Sequence, residues 1–220
     1  MIINLYKPVG WTSFDVCKKI RSITKEKKVG HGGTLDPFAE GVLIIGTGFD
    51  TKKLSSFTNE VKSYDALLNL GSTTDTLDNE GKISLTKEIP HFSENDIINC
   101  FSSYIGDYYQ TPPMYSAKKI KGKKLYEYAR NNIEVRREPV LVKIYSLSLN
   151  FFDSSHISFS VKCSKGTYVR VLGNDIAESL GTVGYLNKLV RTSVGKFSIE
   201  KSQTIERFTS SWKLSMKKTK

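Results

Sequence analysis

Two adjoining stretches of alternating apolar residues do most to limit the fold. Val140, Val142 and Ile144 alternate with other residues, and Leu147, Leu149 and Phe151 resume the pattern one step out of phase. Strand side chains point to opposite faces with a period of two, so the slip requires a bulge or a bend. Ile157, Phe159, Val161 and Cys163 then alternate cleanly, as in a half-buried antiparallel strand. Other segments carry helical spacing. Ser13 is placed to cap a helix bearing Val16, Ile20 and Ile23, and Ser93 to cap one bearing Ile97, Phe101, Tyr104 and Ile105, with Gly106 as its stop. Leu172, Ile176 and Leu180 mark a further helix, and residues 2–6 a short strand ended by the turn Lys7-Pro8-Val9-Gly10. Strands and helices mix without a regular βαβ rhythm. The expected class is α+β, with a mixed, largely antiparallel central sheet flanked by helices and loops.

With 220 residues and 39% hydrophobic content the chain supports one sizeable core, and no linker or repeat divides it. No apolar run approaches the roughly 20 residues that span a bilayer, and the N-terminus lacks the pattern of a secretion signal. A cytoplasmic location and no membrane partner are therefore expected. Cys17, Cys100 and Cys163 are odd in number and far apart, which argues against a disulfide framework. His31, His91 and His156 are equally scattered, so no metal is expected.

The net charge of +11 fits either ordinary surface lysine or a polyanionic partner. Its distribution favours the second. Lys118, Lys119, Lys121, Lys123 and Lys124 crowd one stretch beside Tyr115 and Tyr126, and Lys213, Lys217, Lys218 and Lys220 follow Trp212 without an acid. Lysines interleaved with tyrosines suit a phosphate backbone carrying stackable bases. No helix-turn-helix or zinc-finger pattern points to DNA.

Gly30-His31-Gly32-Gly33-Thr34-Leu35-Asp36-Pro37 reads as a loop, followed by the buried-strand run Val42-Leu43-Ile44-Ile45. Its glycines permit conformations and close approaches that side chains bar, and Pro37 holds Asp36 extended. It lacks the Gly-Lys-Ser/Thr of a phosphate-binding Walker loop and the spacing of a dinucleotide fingerprint. Two readings stand: a tight turn with a solvated Asp36, or a loop that presents a carboxylate to a ligand. Thr74-Asp75-Thr76-Leu77-Asp78-Asn79-Glu80-Gly81 lacks the ligand spacing of a calcium loop.

The same segment, continued through Ala39 and Gly41-Val42-Leu43, closely resembles the signature of the TruB family of pseudouridine synthases. Further stretches resemble that family in the same order: Lys7-Pro8 with Gly10, Lys62-Ser63-Tyr64, Gly71 with Thr74-Asp75-Thr76, Asp78 and Gly81, and Gln110 through Ala117 with Gly122, Tyr126 and Ala129-Arg130. Cys163 through Arg170 and Leu189-Val190-Arg191-Thr192 complete the likeness.

The resemblance implies the pseudouridine synthase fold and a cofactor-free isomerisation of uridine 55 in the T-loop of tRNA. It makes Asp36 the catalytic aspartate acting on a flipped-out base, a carboxylate being able to form a covalent adduct and later depart. Tyr64 matches the tyrosine lying against that base, and Arg170 the arginine that gives the aspartate its countercharge. His31 is implied to fill the vacated stack. Lys7 and Tyr168 are implied to hold the turn and a substrate phosphate, Asp78 to contact extruded nucleotides, and Leu189 to contact RNA. Residues 110–131 resemble an RNA-gripping insertion in which Lys118 and Lys119 meet phosphates.

The resulting expectation is a catalytic domain over residues 1–200 and a short basic tail over 201–220, helix-like near Thr204 to Phe208, without the RNA-binding PUA module that many members carry. A monomer acting on the tRNA T-arm is expected. The competing reading, a tRNA-folding chaperone or RNA-binding module, explains the charge and tyrosines but leaves the aspartate loop and Arg170 without a purpose. A change of substrate to RNAs addressed by a guide is the further variant, and the brevity of the chain favours a stand-alone enzyme.

Overall fold

The computed structural model describes residues 1–218, with side chains through Met216, so Lys220 of the basic tail lies outside the described residues. In chain order the elements are β1 (Ile2–Lys7), α1 (Ser13–Thr24), β2 (Val29–His31), β3 (Glu40–Thr47), α2 (Leu54–Asn59), β4 (Lys62–Leu70), β5 (Ser72–Thr74), β6 (Ile83–Thr86), α3 (Glu94–Tyr104) and β7 (Gly106–Gln110). They continue as β8 (Lys119–Ile120), β9 (Lys123–Lys124), α4 (Leu125–Ala129), β10 (Val140–Phe152), β11 (His156–Cys163), α5 (Val169–Ser179), β12 (Gly184–Val194), β13 (Phe197–Ser198) and α6 (Ile205–Lys218). This is the mixed, largely antiparallel α+β architecture expected. β1 and β2 run antiparallel to β3, β7 and β11 antiparallel to β10, and β13 antiparallel to β12, while β12 meets β3 in parallel. No helix among the described residues is long and apolar enough to cross a membrane.

The chain packs as two compact units rather than one, residues 1–64 with 190–220 and residues 65–189. In the first, β3 lies between β1 and the end of β12. Every residue of β3 after Glu40 is buried, as its apolar run requires. α1 and α6 cover this sheet: Val16, Cys17 and Ile20 pack with Ile205 and Phe208 over Leu5, Leu43 and Ile45. The segment expected to be a tail therefore contributes to the core, and its helix runs on to Lys218. Thr12, one residue earlier than expected, caps α1. Its side chain accepts from the Asp15 amide while the Asp15 carboxylate answers the Thr12 amide; such a reciprocal box satisfies two orphan donors.

In the second unit the strand order is β12-β4-β11-β10-β7. The phase slip of the sequence falls where β10 and β11 shift register between Ile144 and Ser146, with a second shift between Leu149 and Phe151. Ile157, Phe159, Val161 and Cys163 are all buried. α3, capped by Ser93 as expected, packs on β10 and α5, and Phe101 meets Phe159 edge to face at 5.9 Å.

Candidate active site

The Asp36 loop belongs to the first unit and starts less irregularly than its glycines suggest. Gly30 and His31 lie in β2, which pairs with β3 through Val29–Thr47, Gly30–Gly46 and His31–Ile45. Only from Gly32 onward does the segment leave the sheet, and Gly33 then takes a φ of +127° that side chains disfavour. Gly32 has no room for a side chain, since a Cβ there would sit 2.9 Å from Cβ of Phe57.

Three buried polar side chains hold this loop. Ser13, in the first turn of α1, accepts from the Leu35 amide at 2.9 Å and donates to the Leu35 carbonyl at 3.1 Å. Arg191, 1% exposed on β12, donates from Nε to Val42 O at 2.7 Å and from its two terminal nitrogens to Thr34 O at 3.1 Å and Gly33 O at 3.2 Å. Lys7, fully buried, donates to the carbonyls of Trp11 at 2.6 Å, Pro8 at 3.0 Å and Pro37 at 3.3 Å. The Gly10 amide adds a bond to Pro37 O at 2.9 Å. Charged groups are taken out of water only where their donors are met, and here a guanidinium and an ammonium are directed at carbonyls flanking Asp36. Gly41 completes the fit: its φ is +109°, and a Cβ there would collide with the Arg191 backbone.

These contacts sort the sequence expectations for the first unit. Lys7, wholly buried, bonds the carbonyls of the turn. Asp36 is partly exposed between Leu35, which is buried, and Pro37. Tyr64 lies on the inward face of β4 and is 7% exposed. His31 is half-buried, its Nδ1 is shut off from solvent without a hydrogen-bond partner, and burial holds its pKa below the ordinary value, keeping the ring neutral at pH 7. Arg191 and Ser13 carry no site signal of their own in the sequence. Each merely lies in or beside a family-like stretch.

The second unit holds the remaining residues. Arg170, in the first turn of α5, is buried and forms an ion pair with buried Asp78 at 3.3 Å. It also donates to the carbonyls of Thr76 and, at 2.9 Å, Tyr115. Asp78 accepts in addition from Thr76 Oγ1 at 2.6 Å and the Glu80 amide at 3.1 Å. Asp78 is thus an interior anion that fixes Arg170 and the 74–81 turn. Leu189 is 4% exposed on β12. Tyr168 precedes α5 and is tied by the buried Gln110 amide, which accepts from the Tyr168 N–H at 2.7 Å and donates to its carbonyl at 3.0 Å.

Residues 119–124 form a hairpin whose turn residues Lys121 and Gly122 both have positive φ, +49° and +84°. Lys118 is half-buried, and Lys119, Lys121 and Lys123 are exposed. Lys124 and Arg130 both lie over the Tyr126 ring, at 5.2 and 5.3 Å from its centre. Cations over a ring face are drawn to it electrostatically.

The fold and the aspartate loop define a class. A model described as TruB family pseudouridylate synthase (N terminal domain) matches residues 21–169, and the chain belongs to that family. Among curated relatives it is 47% identical over 205 residues to the tRNA pseudouridine synthase B of Clostridium tetani, covering 93% of this chain and 71% of that protein. It is likewise 47% identical over 206 residues to the tRNA pseudouridine synthase B of Caldanaerobacter subterraneus, covering 93% and 72%. Among solved structures, a Cbf5-Nop10-Gar1 complex matches all of this chain with a TM-score of 0.79 and 26% identity. An H/ACA RNP bound to a substrate RNA containing 2'-deoxyuridine matches at 0.73 and 24%, a likeness of fold. This chain spans 56% and 55% of those two solved chains.

Proposed function

We propose that this chain isomerises uridine to pseudouridine in tRNA, at the T-loop uridine, with Asp36 as the nucleophile. The relatives named tRNA pseudouridine synthase B support the reaction and the RNA class. The observation that carries the role of Asp36 is the clamp on its loop. Lys7, Ser13 and Arg191 bond the carbonyls of Gly33, Thr34, Leu35 and Pro37, on both sides of the aspartate. A plain surface turn has no use for two buried cations. A nucleophile does, because a carboxylate fixed in direction avoids an entropic cost that otherwise falls on the reaction.

The reaction conserves atoms. The glycosidic bond between N1 and C1′ breaks, the base turns while held, and C5 bonds to C1′; C5 loses its proton and N1 gains one. The Asp36 carboxylate serves by forming and releasing a covalent adduct, which divides one difficult displacement into two easier ones. The base must leave its stack to be reached. His31, neutral and flat, is the group we assign to the space it vacates, Tyr64 the ring against the base, and Arg170 the fixed positive charge of the reaction. The exposed lysines of the 119–124 hairpin hold phosphates. The test is to incubate an unmodified tRNA transcript with the purified protein in buffer without cofactor and to map pseudouridine. Product at the T-loop uridine is expected; its absence overturns the proposal.

A further inference from the structure

A shallow basic track runs along one face of the first unit. Its first part is a cavity of about 430 Å³ lined by Gly10, Trp11, Asp15, Lys18, Lys19 and Ser22. Its second part, about 620 Å³, lies between α1 and α6 and shares Lys19 and Ser22 with the first. Lys25, Thr209, Ser210 and Lys213 border it, Ile23 and Ile205 give it an apolar lining, and Glu206 is its acid. Lys18, Lys19, Lys25 and Lys213 all reach solvent. Four lysines line the track against two acids, Asp15 and Glu206, so the lysines are in excess.

We infer that this α1–α6 track is a second contact surface for the RNA backbone, separate from the 119–124 hairpin. The inference rests on the proposed action on tRNA and extends it. Three observations carry it. Lysines and serine hydroxyls are groups that bind phosphate and sugar without reading sequence. Among the described residues the aromatic side chain lining the track is Trp11, partly buried against the core, and its exposed part stands at the end nearest the aspartate loop, where a base can meet it. That end is joined to the loop: the Trp11 carbonyl accepts from Lys7, and the Gly10 amide donates to Pro37, next to Asp36. A strand leaving the neighbourhood of Asp36 meets Trp11 first and then the lysines of α1 and α6. Lysines on the rim with an apolar lining and no compensating acidic row fit a polyanion better than a protein of mixed charge.

The test uses the full chain carrying Lys18→Glu, Lys25→Glu and Lys213→Glu together, with a tRNA transcript. Binding is measured across a salt series, and conversion is measured in single turnover at saturating protein. The track predicts about tenfold or greater weakening at moderate salt, and a salt dependence shallower by about 2 in the log–log slope. The single-turnover rate at saturation stays that of the parent. A control with Lys82→Glu, Lys87→Glu and Lys162→Glu carries the same charge change on the second unit and weakens binding less. Triple replacement by glutamine, which keeps the side chains polar and without negative charge, must reproduce the slope change, with unchanged thermal unfolding showing an intact fold. Unchanged affinity and slope, or equal losses from the control, overturns the inference while parental conversion leaves the enzymatic reading intact. A parent that neither binds nor converts tRNA overturns both.

Discussion

Replacing Arg191 by methionine tests whether the aspartate loop is held as described. The side chain is 1% exposed and makes three hydrogen bonds, to Val42, Thr34 and Gly33 carbonyls. Hydrogen bonds from a charged group are worth about 1.5–3 kcal/mol each, but methionine restores part of the apolar packing and water reaches the partly open loop. A net loss of about 3–5 kcal/mol is expected, since three carbonyls lose their donor at about 1–3 kcal/mol each where they stay buried. For a chain of this size that lowers the unfolding midpoint by roughly 6–20 °C, at about 2–4 °C per kcal/mol. Arg191→Lys keeps the charge but loses the planar fork, so it recovers one bond and loses about half as much. Scanning calorimetry gives the stability, and single-turnover conversion of a tRNA transcript below the melting range gives the chemistry. With Asp36 released, the rate falls about 100-fold, as for an ångström of misplacement. A methionine variant within about 1 kcal/mol of the parent and equally active would refute the clamp.

Further expectations follow from the other buried groups. Asp78→Ala removes a buried counter-ion of Arg170 and costs about 3–5 kcal/mol, measured by denaturant unfolding; a loss below about 1 kcal/mol means the pair is not buried in solution. His31 is held neutral by burial, its pKa below the ordinary 6.5. The unfolded chain therefore takes up this proton first, so His31 stabilises fully above about pH 6.5 and less as pH falls towards its folded value. Unfolding of His31→Gln between pH 7 and 5 should show a shallower decline than the parent, and parallel curves would remove the assignment. Asp175 accepts from the Tyr108 hydroxyl, and burial raises its pKa above the ordinary value. Here the folded state binds the proton more tightly, so stability rises as pH drops from the folded value towards about 3.9. Asp175→Asn should leave stability at pH 7 equal or higher and flatten that rise; a marked loss at pH 7 would contradict it.

Patterns that depend on neighbours in sequence were legible. The phase slip after Ile144 became a register shift because strand periodicity leaves no other way to keep both apolar sets inward. Ser93 capped α3 as its spacing suggested. At α1 the choice fell on Thr12 because Asp15 stands three residues on and closes the box, which Ser13 cannot do; Ser13 turns inward to the loop instead. β2 was missed because its glycine argues against a strand, yet backbone bonds to β3 need no side chain. The clamp itself was beyond local reading. Arg191 reaches carbonyls 149 to 158 residues earlier in the chain, and in sequence it is only a cation in a strand. The expected roles of Asp78 and Leu189 rest on likeness alone, and nothing in their local sequence announces the burial of either side chain. Asp36, by contrast, was conspicuous throughout, because the glycines and the proline around it mark its place from the local sequence alone.

The most direct measurement compares the parent with Asp36→Asn on one unmodified tRNA transcript, following both binding and pseudouridine formation at the T-loop uridine. Asparagine keeps the shape and the loop, so the variant should bind with parental affinity, melt within a few degrees of the parent and form no product over many parental half-lives. Pseudouridine at that uridine at a comparable rate would contradict the assignment of Asp36.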